Sequence, residues 1–249
     1  MRRREMLRTL AAMPAGGFWG LAAPLAGGPA RFGDGRDWFF QKCLGLFVHW
    51  GLYAIPAWHE QHMYRMGWTR KQYAPLAGQF NPRRFDPNRW IDAAEASGME
   101  YLCLTAKHID GFCLWDTRET KFNVTNTPYR REIVRPVADA CHRRGMPLQL
   151  YYSVVDGHHP NYPNAGRPHE FKAPQPGDQP DLLRYVEFAK RQIRELCTNY
   201  GELHGIWFDA NHLKHRDPAF REMIRSLQPK AVINNRGFDD GDYGTPERD

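Results

Sequence analysis

In four places along the chain a residue able to do chemistry stands directly after an apolar, strand-like run. Asp209 ends the apolar run within "GIWFDAN", His49 follows "LGLFV", His108 follows "YLCLTAK", and Arg236 follows "AVINN". A carboxylate, two imidazoles and a guanidinium at such points can be turn formers and helix caps, or they can be the working groups of a site assembled at strand ends. A carboxylate can attack an electrophilic carbon or move a proton, while neutral imidazole can donate to one hydroxyl and accept from another. Aromatic residues accompany them: Trp50, Tyr53, Trp58, Tyr64, Trp68, Trp115, Tyr151, Tyr152 and Trp207. Ring faces beside directional polar groups suit a sugar, whose C–H faces stack while its hydroxyls need partners.

The elements that must position these groups can be read from periodicity. Apolar strand-like segments at 44–49, 101–107, 147–154, 205–209 and 231–235 alternate with helical patterns at 88–96, 133–144, 181–200 and 219–227. Gly98, Gly145 and Gly201 each stand just past a helix, where a left-handed cap is wanted. Strand-then-helix repetition predicts an α/β fold with a parallel sheet. Because every strand end carries polar groups, a barrel, which gathers all strand ends on one rim, accounts for the pattern better than a doubly wound sheet with one switch point. Two insertions, 53–87 and 156–180, are rich in Pro, Gly, His and aromatics and follow strand C-terminal ends, the side where ligand-binding loops gather.

With 249 residues, 42% of them hydrophobic and 25% charged, the chain can bury one large core. Half of its net charge of +6 comes from Arg2, Arg3, Arg4 and Arg8, set against Glu5, in the first thirty residues. Elsewhere acids and bases are mixed, with no basic stripe of the kind nucleic acid requires. Residues 1–30, with Arg3-Arg4 ahead of a short Ala- and Gly-rich apolar stretch, read as a twin-arginine-type signal segment. That predicts export to the periplasm or beyond, with no membrane association after removal. Five cysteines at irregular spacing and no CxxC argue against a disulfide framework or a thiolate zinc site. The pairs His158-His159 and His212 with His215 have no carboxylate at a regular metal spacing, so neither a metal nor a cofactor is expected.

The segments "LGLFVHWGLYAIPAW", "YLCLTAKHIDGFCLWDT", "LQLYYS", "GIWFDAN" and "NNRGFDDGDYGTPERD", in that order, closely resemble the catalytic domain of the α-L-fucosidases of glycoside hydrolase family 29. The resemblance implies a (β/α)8 barrel that removes terminal α-L-fucose from fucosylated glycans with retention of configuration. It implies that Asp209 is the nucleophile, that His49 and His108 bind fucose hydroxyls, and that Trp207 with one of Tyr151 and Tyr152 lines the fucose pocket. Arg236 matches the arginine after the fifth strand, and Glu247 resembles the acid/base glutamate. Trp50 and Glu60 join the substrate-binding candidates, Glu60 also as an alternative acid. A retaining glycosidase independently needs two carboxyls, roughly 5 to 5.5 Å apart. The chain departs from the family in having Ile109 where a second histidine often follows His108. Its five strand candidates also fill the available length, so residues 31–249 are expected to hold about five βα units, the N-terminal part of an incomplete barrel. Oligomeric state is open at this level.

Overall fold

The computed structural model describes residues 31–245. The leader segment and Glu247 therefore lie outside the described residues. Five strands, β1 (Gly45–Val48), β2 (Tyr101–Lys107), β3 (Leu148–Ser153), β4 (Gly205–Asp209) and β5 (Val232–Ile233), form one sheet in the order β1-β2-β3-β4-β5. Every pairing is parallel. Sequential order without reversal is the winding of a barrel wall; a doubly wound sheet would reverse at a switch point.

Among the described residues the α-helices are α1 (Trp38–Gln41), α2 (His62–Arg65), α3 (Arg70–Tyr73), α4 (Pro87–Ala96), α5 (Val134–Arg144), α6 (Leu182–Asn199) and α7 (Ala219–Leu227). The last four cover one face of the sheet. Leu102, Leu104, Leu148, Leu150, Ile206 and Phe208 point at them and are 1% exposed or less. Local chemistry sets their ends. Asp181 caps α6 by accepting the Arg184 N–H at 3.1 Å, and Asp86 caps α4, where Pro87 occupies the first turn. Gly145 ends α5 at φ 62°, the left-handed cap expected from the sequence.

Three differences from the sequence reading have identifiable causes. The fifth strand is shorter than 231–235 because the Asn234 side chain takes over the pairing: its Oδ1 accepts the Phe208 N–H and its Nδ2 donates to the Phe208 carbonyl, both at 2.8 Å. The first insertion contains short helices, among them α3, which begins with a reciprocal capping box between Thr69 and Gln72. The third difference lies in β2, whose register slips by one residue between Thr105 and Lys107, so that Thr105 pairs with Tyr151 but Lys107 pairs with Tyr152. A bulge of this kind changes which face the following side chains take. Lys107 goes to the helix face, 4.2 Å above the Tyr152 ring, and its ammonium meets Asp156 at 2.8 Å.

The opposite sheet face carries Phe47, Tyr101, Tyr151 and Trp207. The chain covers part of it with its own outer segments. Trp38 packs edge-on against Tyr101 and His204, Phe39 lies 4.3 Å from Tyr243, and Arg36 pairs with Asp242 at 2.6 Å. Phe47 on edge strand β1 remains 40% exposed. All five cysteines are free.

Candidate active site

The site begins with the alternation of β4. Trp207 and Asp209 share one face, and Tyr151 on β3 stands opposite Trp207 in register. The two rings stack at 5.4 Å and 19°, and His108, at the end of β2, stacks on Tyr151 at 5.4 Å and 14°. His49, just past β1, meets His108 edge-on at 5.5 Å. Three strand ends thus contribute a continuous His108-Tyr151-Trp207 stack, and a fourth contributes its edge.

Asp209 lies where two donors converge. The Tyr151 hydroxyl donates to its Oδ2 at 2.8 Å and Arg236 Nη1 to its Oδ1 at 2.9 Å. Arg236 is itself held, its Nε donating to the Thr245 carbonyl at 2.7 Å and its guanidinium lying 5.4 Å from the Trp207 ring. The strand ends abruptly after the acid. Asp209 still accepts the Val154 N–H at 2.8 Å through its backbone oxygen, and Ala210 then turns at φ 55°, a region non-glycine residues seldom enter. The carboxylate faces a cavity of about 760 Å³, lined also by His49, Glu60, His108 and Thr245.

Burial governs the protonation of the neighbours. It pushes the His49 imidazole below its ordinary pKa, against the opposing pull of Glu60 and Asp209. His108 lies well below the ordinary value because it is buried and faces His49 and other imidazoles. Both rings are therefore neutral near pH 7 and can donate at one nitrogen and accept at the other. His108 Nδ1 is buried without a hydrogen-bond partner. Burial, followed by the Asp209 charge, lifts the Tyr151 hydroxyl well above the usual range and keeps it a proton donor.

The structure brings together His49, Glu60, His108, Tyr151, Trp207, Asp209 and Arg236 from the sequence candidates. Two others lie elsewhere. Tyr152 neighbours Tyr151 on a strand and so takes the opposite face, where its hydroxyl donates to Gln192 at 2.8 Å in the helix layer. Trp50 packs among Phe80, Phe85 and Trp90 beside β1, outside the cavity. His158 and His159 separate as adjacent residues should, one stacked on Phe122 at 3.9 Å and the other against Phe188 at 4.1 Å. Sequence reasoning did not single out His169, Pro168 or Gln61, which also line the cavity. They stand on the two insertions, and only the placement of those loops after strand ends pointed to them.

Residues 33–249 match the family model described as Alpha-L-fucosidase. The chain is 32% identical over 163 residues to "Alpha-L-fucosidase 1" of Arabidopsis thaliana, a match covering 62% of this chain and 29% of that protein. It is 33% identical over 143 residues to "Tissue alpha-L-fucosidase" of Rattus norvegicus, covering 50% and 31%. Among solved structures, alpha-L-fucosidase isoenzyme 1 from Paenibacillus thiaminolyticus superposes with a TM-score of 0.75 at 37% identity, covering 82% of this chain and 52% of that one. The alpha-L-fucosidase of Lactobacillus casei in complex with its alpha-L-fucose product gives 0.75 at 29% identity, covering 86% and 74%. The matches therefore span about 30% of the length of these curated relatives. Five parallel strands in barrel order, an acid held at the fourth strand end and a family match over 217 residues lead to one assignment: this chain belongs to the alpha-L-fucosidase family.

Proposed function

We propose that this chain carries the fucose-binding site and the nucleophile of a retaining exo-α-L-fucosidase acting on fucosylated glycans. The observation that carries the reading is the Asp209 carboxylate, held by Tyr151 and Arg236 and turned toward a cavity walled by stacked rings and neutral imidazoles. Trp207 offers a face to the sugar's C–H bonds, and His49 and His108 offer nitrogens to its hydroxyls. An Asp209 oxygen attacks the anomeric carbon as the bond to the leaving oxygen breaks, and a second carboxyl protonates that oxygen. Water, deprotonated by the same second carboxyl, then releases fucose with the original configuration.

Glu247 is our assignment for that second carboxyl. In support, Thr245, two residues earlier, lines the same cavity and binds Arg236 through its carbonyl. Glu60, on the same cavity and 3.0 Å from His59, is the reserve acid. We extend the proposal to location, with residues 1–30 directing export; Arg3→Lys with Arg4→Lys should leave the protein in the cytoplasmic fraction.

The test is turnover of an aryl α-L-fucoside by the wild type and by Asp209→Ala. The variant should lose more than about 10³-fold in kcat, and azide should restore turnover while yielding a fucosyl azide of inverted configuration. Equal rates in the two proteins would end the proposal. Binding of methyl α-L-fucoside by a wild type that does not turn over would make the chain a fucose-binding protein.

A further inference from the structure

The β1–β2 ladder ends at the Val48–Leu104 pair, so His49 and Thr105 are the first residues past it. There the Thr105 side chain takes over from the backbone. Its hydroxyl accepts the Trp50 N–H at 3.0 Å and donates to the Trp50 carbonyl at 3.2 Å, gripping two successive peptide planes, the first of which joins His49 to Trp50. A hydroxyl has one proton, and with that proton on the Trp50 carbonyl the Tyr53 hydroxyl, 3.3 Å away, is the donor in the remaining bond. We propose that Thr105 is a positioning residue for the fucose site, its one buried hydroxyl setting both cavity imidazoles, His49 through the backbone and His108 through Tyr53. This rests on the fucosidase reading above.

Each arm can be followed to a ring. The His49 side chain springs from the Cα at the start of the gripped peptide, so its aim follows that plane; its ring centroid lies 5.5 Å from His108 and 5.6 Å from Tyr151. On the other arm, Tyr53 meets His108 edge-on at 5.3 Å and 61°. His108 Nδ1 is buried with no hydrogen-bond partner, so ring contacts, and not a bond at that atom, orient the imidazole. Thr105 is 1% exposed and Tyr53 5%, which keeps water from replacing a lost bond. Burial lifts the Tyr53 hydroxyl well above the usual range and keeps it a proton donor. The turn between the two arms has no slack: a Cβ on Gly51 would meet the Tyr53 ring at 2.8 Å.

The test compares wild type with Thr105→Val, which keeps the shape and removes the hydroxyl, with Thr105→Ser, which restores it, and with Tyr53→Phe, which removes one of the three bonds. Calorimetric binding of methyl α-L-fucoside should weaken roughly five- to twentyfold in Thr105→Val, the worth of one or two hydrogen bonds. It should weaken about two- to fivefold in Tyr53→Phe and stay within about twofold of wild type in Thr105→Ser. Thr105→Val added to His49→Ala should cost less than the two separate losses together, because the hydroxyl acts through that ring. In the unliganded protein the imidazole proton–nitrogen NMR signals of His49 and His108 should shift in Thr105→Val and return in Thr105→Ser. Tyr53→Phe carries the same comparison for His108 should the valine variant fail to fold. Unmoved histidine signals, wild-type affinity in a folded variant, or fully additive losses would overturn the inference. A wild type that binds no methyl fucoside would instead overturn the fucoside reading beneath it, while the histidine signals still decide the positioning role.

Discussion

Lys107 and Asp156 form an ion pair at 2.8 Å with side chains 0% and 2% exposed, just behind the cavity wall. The other oxygen of Asp156 accepts the N–H groups of His158 and His159 at 2.9 Å each, at the root of the loop that carries His169. Burial alone would push the Asp156 pKa up, but the Lys107 charge, aided by His159, prevails and holds it at about 2. Lys107→Met keeps a straight chain of similar length and removes the charge, leaving a buried carboxylate on two backbone donors. Breaking such a pair from one side costs about 3–5 kcal/mol at pH 7, equivalent to roughly 6–20 °C in Tm for a domain of this size. The pH dependence should reverse character. In the wild type the Asp156 contribution is fully present above the ordinary aspartate range and is lost only as pH falls through about 2. In the variant burial dominates, the carboxyl takes up a proton below neutrality, and the deficit narrows from pH 7 to pH 5. Lys107→Met combined with Asp156→Asn, which keeps an oxygen for the two N–H groups, should recover about 1–3 kcal/mol relative to the single variant. Thermal and urea unfolding at both pH values provide the measurement. A loss below about 1 kcal/mol at pH 7, or a double variant no better than the single one, would refute the reasoning.

His108→Phe should keep the stack on Tyr151 and remove both ring nitrogens: losing the one offered to a sugar hydroxyl lowers methyl fucoside affinity about tenfold, while losing the buried Nδ1, which has no partner, lets Tm, read by calorimetry, hold or rise. Asp110 accepts the Tyr73 hydroxyl at 2.7 Å and the Phe112 N–H at 3.1 Å, yet burial lifts its pKa to about 6. The folded state therefore holds this proton where the unfolded chain has released it, and the Asp110 contribution to stability falls as pH rises from about 4 to 6. Asp110→Asn should remove that slope in urea unfolding series. Asp242 joins Arg36 at 2.6 Å, Arg225 at 2.7 Å and the Ile233 N–H at 2.9 Å with a side chain 1% exposed. Asp242→Ala should cost about 2–4 kcal/mol, discounted because the arginines are partly solvated, and should weaken fucoside binding by freeing the segment that leads to Thr245.

The five strands, the four long helices and the glycines that follow three of them were legible because each is written locally: apolar runs at strand length, helical spacing, and Gly145 where a positive φ is needed. Asp209, His49, His108 and Arg236 were legible for a related reason, since a polar residue after an apolar run marks where a strand leaves the core. Tyr151 and Tyr152 could not be separated from the sequence. Their faces depend on the parity of β3 against its neighbours, which pairing alone decides. Trp50 reads as a site residue by its position beside His49, but the first insertion supplies Phe80 and Phe85 to pack against it. His169 was invisible because its placement depends on a knot around Glu170 whose members are scattered through a loop.

One extra residue in β2 sorts the polar side chains of this sheet. Before it, Thr105 shares the cavity-side face with Tyr151, and its hydroxyl receives the Trp50 N–H at 3.0 Å. Strict alternation would then aim Lys107 at the same face, placing an ammonium beside Tyr151 and in competition with Arg236 for Asp209. The slip sends Lys107 to the helix layer, where Asp156 and the Tyr152 ring receive it, and leaves His108 as the ring that stacks on Tyr151. Asp209 thus keeps two donors fixed by its neighbours on either side, and the cavity is left with neutral imidazoles that can bind hydroxyls. The apolar run that ends in an acid makes sense only with this sorting: β4 supplies the carboxylate, and the irregularity in β2 keeps the wrong cation away from it.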